Sequence, residues 1–259
     1  MGLLIAGRAS GLVALVLVLM SMFIGVARAK KKLPNFRKIA GLEAMEEAVG
    51  RATEMGRPVF YTPGYADVSG TTAAPSLAGL DLLGHVGRLT ARYDTKLEVS
   101  VGHPNTYTLA QEVLKNSYLT EGRPDSDNDE IIRFTSEIQF AYTAATLGLI
   151  QRGKPATCFF TGYFAAEAII LSEAAAAIGA MAIAGATNQF QIPFFAAACD
   201  YTMIGEEFLA AGALISQDPL RIGGVVGQDY IKAIAAITLL VGALLFTMGN
   251  KSLVDLLKL

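Results

Sequence analysis

Gly56-Arg57-Pro58-Val59-Phe60-Tyr61-Thr62-Pro63-Gly64-Tyr65 holds a helix stop, a short strand and the loop that follows it within ten residues. Gly56 suits the left-handed position after a helix, and Pro58 restarts the chain in extended form. The β-branched and aromatic run ends at Pro63-Gly64. Upstream, Leu42, Met45, Val49 and Met55 recur at three- and four-residue steps, so the spacing predicts a helix over 43–54. Downstream the pattern predicts a helix over 76–93, a strand over 97–101, and a helix capped by Asn105 or Thr106 and running to about 119. The stretch 121–130, with Gly122, Pro124 and five acids, reads as a surface loop and the best internal boundary.

The same order returns beyond that loop. A striped helix is expected over 140–151, a strand over 155–160 and an alanine-rich helix over 165–178. Strands over 181–186 and 194–199 follow, then a helix over 202–215. Strands alternating with helices imply an α/β fold, Rossmann-like, with a mostly parallel, covered sheet. Gly153-Lys154-Pro155 followed by Phe159-Phe160-Thr161-Gly162-Tyr163 echoes the opening stretch, and Tyr201-Thr202 with Glu206 echoes Tyr107-Thr108 with Glu112. These echoes predict an internal duplication, although turn chemistry alone places Gly, Pro and Thr where helices hand over to strands.

Two apolar stretches bracket this core. Residues 9–27 and 233–249 carry no charge; the first is long enough to cross a hydrocarbon layer of roughly 30 Å, and the second nearly so before its flanks are counted. The segmentation is an anchor over 1–29, a first α/β half over 30–122, and a linker loop with room for a strand over 123–135. A second half over 136–222, a transmembrane helix over 228–249 and a tail over 250–259 complete it. Lys30, Lys31, Lys32, Arg37 and Lys38 outweigh Arg8 on the other flank, which predicts a cell-membrane protein with its soluble domain cytoplasmic and both termini outside. Tyr230 and Lys232 suit the headgroup level at the second span. Ala27-Arg28-Ala29 also satisfies a signal peptidase, and the shorter second stretch also fits a buried soluble helix. Gly11, Ala14, Ser21 and Gly25 in the first span, and Ala235, Ala236, Gly242 and Ala243 in the second, would let helices approach closely within or between chains.

A net charge of −2 with no broad basic face argues against nucleic acid, and the basic cluster is better matched to anionic lipid. Cys158 and Cys199 form neither a disulfide framework nor a metal-ligand spacing, and suit the core. Phosphate-loop, dinucleotide, zincin and serine-hydrolase signatures are absent, so no catalytic residue, metal or cofactor is assigned. His85 suits a packed or solvated helix position. In parallel sheets ligands bind outside the carboxyl ends of strands, which collects Thr62, Tyr65, Asp67, Ser69, Thr71 and Thr72 after the first strand and His103, Asn105 and Thr106 after the second. Thr161, Tyr163, Glu167, Thr187, Asn188, Gln189, Asp200, Tyr201 and Thr202 form the matching crest of the second half. Helix capping is the favoured reading for most of these residues. Glu167 and Glu173 do not share a helix face, and Glu206 and Glu207 suit the first turn of a helix.

The N-terminal span, the 56–65 stretch, Gly102-His103-Pro104-Asn105-Thr106 and Thr161-Gly162-Tyr163-Phe164-Ala165-Ala166-Glu167 together resemble an uncharacterised prokaryotic membrane-protein family catalogued as a domain of unknown function. The resemblance spans nearly the whole chain and implies no activity and no site residues. Two functional classes are expected. The preferred one is a membrane-tethered assembly or binding module, partnered by the bilayer and by itself or another membrane protein. The alternative is a small-molecule sensor or enzyme working at the strand ends, with His103, Asp67 and Glu167 as participants.

Overall fold

The structure, a computed structural model, describes residues 9–31, 34, 37–124 and 131–251. Arg8, Lys32, most of the acidic loop and most of the tail lie outside the described residues. The chain divides into two compact units, Arg37–Ser216 and the terminal segments Met1–Phe36 with Gln217–Leu259. Residues 217–222 therefore group with the C-terminal helix, not with the second α/β half.

In chain order the elements are α1 (Ala9–Lys31), α2 (Ala40–Met55), β1 (Val59–Gly64), α3 (Ala73–Tyr93) and β2 (Leu97–Val101). Next come α4 (Pro104–Thr120), β3 (Ile132–Phe134), α5 (Gln139–Gly153), β4 (Thr157–Tyr163) and α6 (Glu167–Ala177). β5 (Met181–Ala186), α7 (Ile192–Ala198), β6 (Tyr201–Ile204), α8 (Glu206–Ser216) and α9 (Pro219–Thr247) complete the series. Among the described residues the strands form one sheet in the order β3-β2-β1-β4-β5-β6, with every neighbouring pair parallel. That order is the doubly wound Rossmann arrangement, whose direction of winding reverses between β1 and β4.

The two echoed stretches fall on those central neighbours. Tyr61 pairs with Phe159, Thr62 with Phe160 and Gly64 with Tyr163, so both loops leave the same edge of the sheet side by side. The downstream echo does not hold, because Tyr107 lies in the first turn of α4 whereas Tyr201 lies in β6.

Two further expectations are corrected. Residues 194–198 belong to α7 and Cys199 is its C-cap, so no strand forms there, and the helix expected over 202–215 begins only at Glu206, after β6 and Gly205 at φ +58°. A short apolar run has no period long enough to distinguish strand from buried helix. Pro193 sits in the first turn of α7, and Phe195 stacks on Phe160 at 6.1 Å between ring centroids and meets Phe164 edge-on at 5.2 Å.

Both faces of the sheet are covered, so the strands are buried throughout their centres. Tyr61, Val99, Phe159, Ile183 and Met203 share one core with Met45 of α2, Leu82 and Leu83 of α3 and Phe208 of α8. Phe60, Phe160 and the small Ala182, Ala184 and Ala186 share the other with Tyr142 of α5, Leu171 of α6 and Phe195 of α7. Alternate alanines on β5 leave the room that the phenylalanines fill. Tyr61 donates its hydroxyl to the Gly79 carbonyl at 2.5 Å and is joined by the Thr161 hydroxyl. Burial pushes the Tyr61 phenol far above its ordinary range.

His85, on α3, is partly buried, and burial with the nearby Arg88 charge pushes its imidazole down to about 4. A depressed folded value means that the unfolded chain takes up the proton first. This contribution is complete above the unfolded value near 6.5 and is lost as pH falls from there through about 4. Denaturation of wild type and His85→Gln across that window is expected to show wild type losing up to about 3 kcal/mol more than the variant. Parallel pH profiles for the two proteins would contradict it.

In the second unit, α1 and α9 are each long and apolar enough to cross a membrane. Side chains such as Phe23, 77% exposed, and Leu239, 74% exposed, face outward. Ser21, Gly25 and Ala29 form a buried small-residue row on α1, and Gly223 and Gly227 form its counterpart on α9. A Cβ on Gly227 would meet Met22 and one on Gly223 would meet Val26, so the helices run antiparallel with their backbones in contact. The helix containing the expected 228–249 span starts at Pro219, where Asp218 accepts the Leu220 amide at 2.9 Å as N-cap.

Candidate site at the carboxyl edge of the sheet

Asp67 organises the loop after β1. Its Oδ1 accepts the Val68 amide at 2.7 Å and the Asn105 side-chain amide at 3.1 Å, and its Oδ2 accepts the Ser69 hydroxyl at 2.5 Å. The Ser69 bond, then those from Asn105 and Val68 and the neighbouring His103, hold the carboxyl below its ordinary range. Thr72 and Ser76 donate to the Asp67 carbonyl at 2.8 and 3.2 Å, and Thr106 donates to the Ala66 carbonyl at 2.9 Å. The loop is thus pinned from the starts of α3 and α4.

His103 precedes α4 as its N-cap. Its Nδ1 lies 3.3 Å from the Asn105 amide nitrogen and 3.3 Å from Asp67 Oδ1. The two partners make opposite demands: an unprotonated Nδ1 caps the helix, and a protonated one donates to the carboxylate. Together, Asp67, Ser69, His103 and Asn105 bring a carboxylate, a hydroxyl, an imidazole and an amide to one partly exposed place.

Towards β4 the edge turns aromatic. The Tyr65 ring lies 6.0 Å from Tyr142 and 6.3 Å from Tyr163. Burial and the Glu167 charge raise the Tyr65 phenol above its ordinary value. Glu167, at the first turn of α6, is 1% exposed; its Oε2 accepts the Gln139 amide at 2.7 Å and its Oε1 accepts the Ala165 amide at 2.8 Å. Its carboxylate ties the start of α5 to the loop before α6.

The candidate residues therefore divide. Tyr65, Asp67, Ser69, His103, Asn105 and Tyr163 come together at the edge. Thr71 stands exposed in the 3-10 turn Gly70–Thr72. Thr62 and Thr161 are fully buried, Thr62 sharing a 2.6 Å hydrogen bond with the Tyr142 hydroxyl and Thr161 bonded to Tyr61. Asn188 spans loops, donating to the Phe164 carbonyl at 3.1 Å while accepting the Phe190 amide at 3.1 Å.

Asp200 is a correction. It precedes β6 and accepts the Ala182 amide at 2.7 Å near the start of β5, which places it at the amino edge of the sheet. Its assignment to the crest depended on a strand at 194–199, and α7 replaces that strand. Thr202 lies within β6 for the same reason. Gln139 and Tyr142 escaped the sequence reading, although their three-residue spacing puts both on one face of α5.

Cys158 and Cys199 are free thiols, and burial pushes Cys199 up to about 12 and Cys158 higher still. Among the described residues no group of three or more His, Cys, Asp or Glu is placed to hold a metal ion. Compared with known families, residues 3–257 match the model described as "Domain of unknown function (DUF6754)". No curated protein and no solved structure matches the chain.

Proposed function

We propose that this chain, which belongs to the DUF6754 family, is a membrane-anchored Rossmann-like module that binds a small polar ligand at the carboxyl edge of its sheet. One observation carries the reading: the strand order reverses between β1 and β4, and the loop after β1 sets Tyr65 beside Tyr163 on one side and Asp67 beside His103 on the other. Open α/β sheets bind ligands at such switch points. Asp67, His103 and Asn105 supply polar contacts, and Tyr65 and Tyr163 supply a wall for an apolar or ring portion. The test is native mass spectrometry of the purified full chain against a mixture of small polar metabolites. A species captured by wild type should bind roughly tenfold more weakly to Asp67→Asn and to Tyr65→Ala. Capture unchanged in both variants, or no capture at all, would reject the site.

The assembly reading rests on a different surface. Ala235, Ala236 and Ala243 are exposed on α9, while Ser21, Gly25, Gly223 and Gly227 are taken up within the chain. A homo-oligomer would use the exposed alanines, and strictly monomeric particles in mass photometry after gentle extraction would end this reading.

The antiparallel pairing of α1 and α9 supports a topology in which the chain leaves and re-enters the membrane at one face. The basic residues Lys30, Lys31, Arg37 and Lys38 favour the cytoplasm for that face. Impermeant labelling of intact cells should modify a cysteine introduced at Leu259 and spare one at Ser126. The reverse pattern would invert the topology.

A further inference from the structure

We propose that the groove between α1 and α9 is a binding site for one anionic phospholipid, with a lipid phosphate on Arg28 and an acyl chain along the helices. The groove has a volume of about 430 Å³ and is lined by Leu17 and Ile24 of α1 and by Ile234 and Ile237 of α9, with Arg28 and Tyr230 at one end. That volume lies within the usual range for small-molecule sites, roughly 300–1,000 Å³.

Charge identifies the occupant. Among the described residues Arg28 makes no ion pair: its Nη1 donates to the Tyr230 hydroxyl at 2.5 Å, and its guanidinium lies 5.4 Å from the Tyr230 ring centroid. Both contacts orient the cation without neutralising it, and its remaining donors are suited to two oxygens of one phosphate. From Leu17 to Arg28 the helix rises about 16 Å, so the apolar floor extends from the cation for much of the length of an acyl chain. A zwitterionic phospholipid would bring its own headgroup cation to a groove whose lining, among the described residues, holds no carboxylate to receive it, whereas free phosphate would leave the apolar floor uncovered. The coincidence of guanidinium and floor in one groove selects the anionic lipid. Lys30 and Lys31 add positive charge at the same end of α1.

The experiment uses the full chain in nanodiscs of phosphatidylcholine with 20% phosphatidylglycerol, roughly the anionic share of a natural leaflet. Native mass spectrometry after detergent release counts the lipids retained. At one retained lipid per chain, the ratio of phosphatidylglycerol to phosphatidylcholine on wild type should exceed the ratio in the nanodisc about five- to tenfold. Arg28→Gln should erase that preference, Arg28→Lys should keep most of it, and the pair Lys30→Gln and Lys31→Gln should leave it largely intact. Ile24→Trp, which fills the groove, should reduce retention of both lipids. Inorganic phosphate should not displace the lipid. Equal retention of the two lipids by wild type, or loss with Arg28→Lys as great as with Arg28→Gln, would overturn the proposal. So would a preference that follows Lys30 and Lys31, or displacement by inorganic phosphate.

Discussion

Gly162→Ala is expected to destabilise the α/β unit by about 4 kcal/mol, although it adds a single methyl group. Gly162 adopts φ +153°, and a Cβ there would lie 2.1 Å from the Pro63 carbonyl oxygen and 2.7 Å from its carbon. Gly64, at φ +89°, is its counterpart: a Cβ on it would lie 2.1 Å from the Tyr163 carbonyl oxygen. These obstacles are backbone atoms of the paired strand, so no rotamer change relieves them. The ladder between β1 and β4 shifts register between Thr62 and Gly64, and the two glycines let the strands meet there. Backbone strain and overpacking each cost roughly 1–3 kcal/mol, and here they add. Chemical denaturation of the full chain measures the loss, and a change below about 1 kcal/mol would contradict the close approach. Gly64→Ala should behave similarly. The double variant should fall short of the sum, because once the strands have separated the second methyl meets less resistance.

Gly25→Leu is expected to open the α1–α9 pair. A Cβ at Gly25 would lie 2.3 Å from the Gly223 carbonyl oxygen and 2.8 Å from the Gly227 nitrogen, again fixed backbone. In lipid, helix association depends on close packing, since the surrounding tails are as apolar as the side chains. Separating the backbones removes that packing along the whole small-residue row. Cysteines introduced at Leu17 and Ile237 line the same groove and report the pairing. Their cross-linking should fall at least tenfold, a loss of about 1.4 kcal/mol or more. Gly11→Leu is the matched control, because nothing lies within 4 Å of a Cβ at that position. If both substitutions reduced cross-linking equally, the effect would be one of helix bulk and the register would be wrong. The expectation that Gly25 supports association thus becomes specific: its partner is within the same chain.

At the candidate site, location was more legible than role. Asp67, Ser69, His103 and Asn105 sit beside Gly, Pro and Thr that punctuate strand ends, and punctuation is local chemistry. Thr62 and Thr161 carry the same local signature, yet their partners are Tyr142, 80 residues away, and Tyr61, 100 residues away. Nothing adjacent to either threonine announces such a partner. Glu167 likewise reads as a first-turn acid, while Gln139, 28 residues earlier, makes it an internal tie. Gly223 and Gly227 precede the uncharged stretch 233–249, so the composition of that stretch does not reveal the glycines that contact Gly25.

The sequence by itself determined most of the alternation of helices and strands, the two apolar helices and the handover from strand to loop at Pro63-Gly64. Periodicity, capping and turn chemistry act over a few residues. Tertiary structure alone decided that β1 and β4 are neighbours at the reversal of the sheet, and that 194–198 is helical, with Phe195 packed on Phe160 and Phe164. It also moved Asp200 to the far edge and consumed the small residues of α1 against α9 within one chain. Each of these outcomes depends on which distant surface covers a side chain. A short apolar run or a lone polar residue satisfies several such surfaces equally well until the packed core selects one.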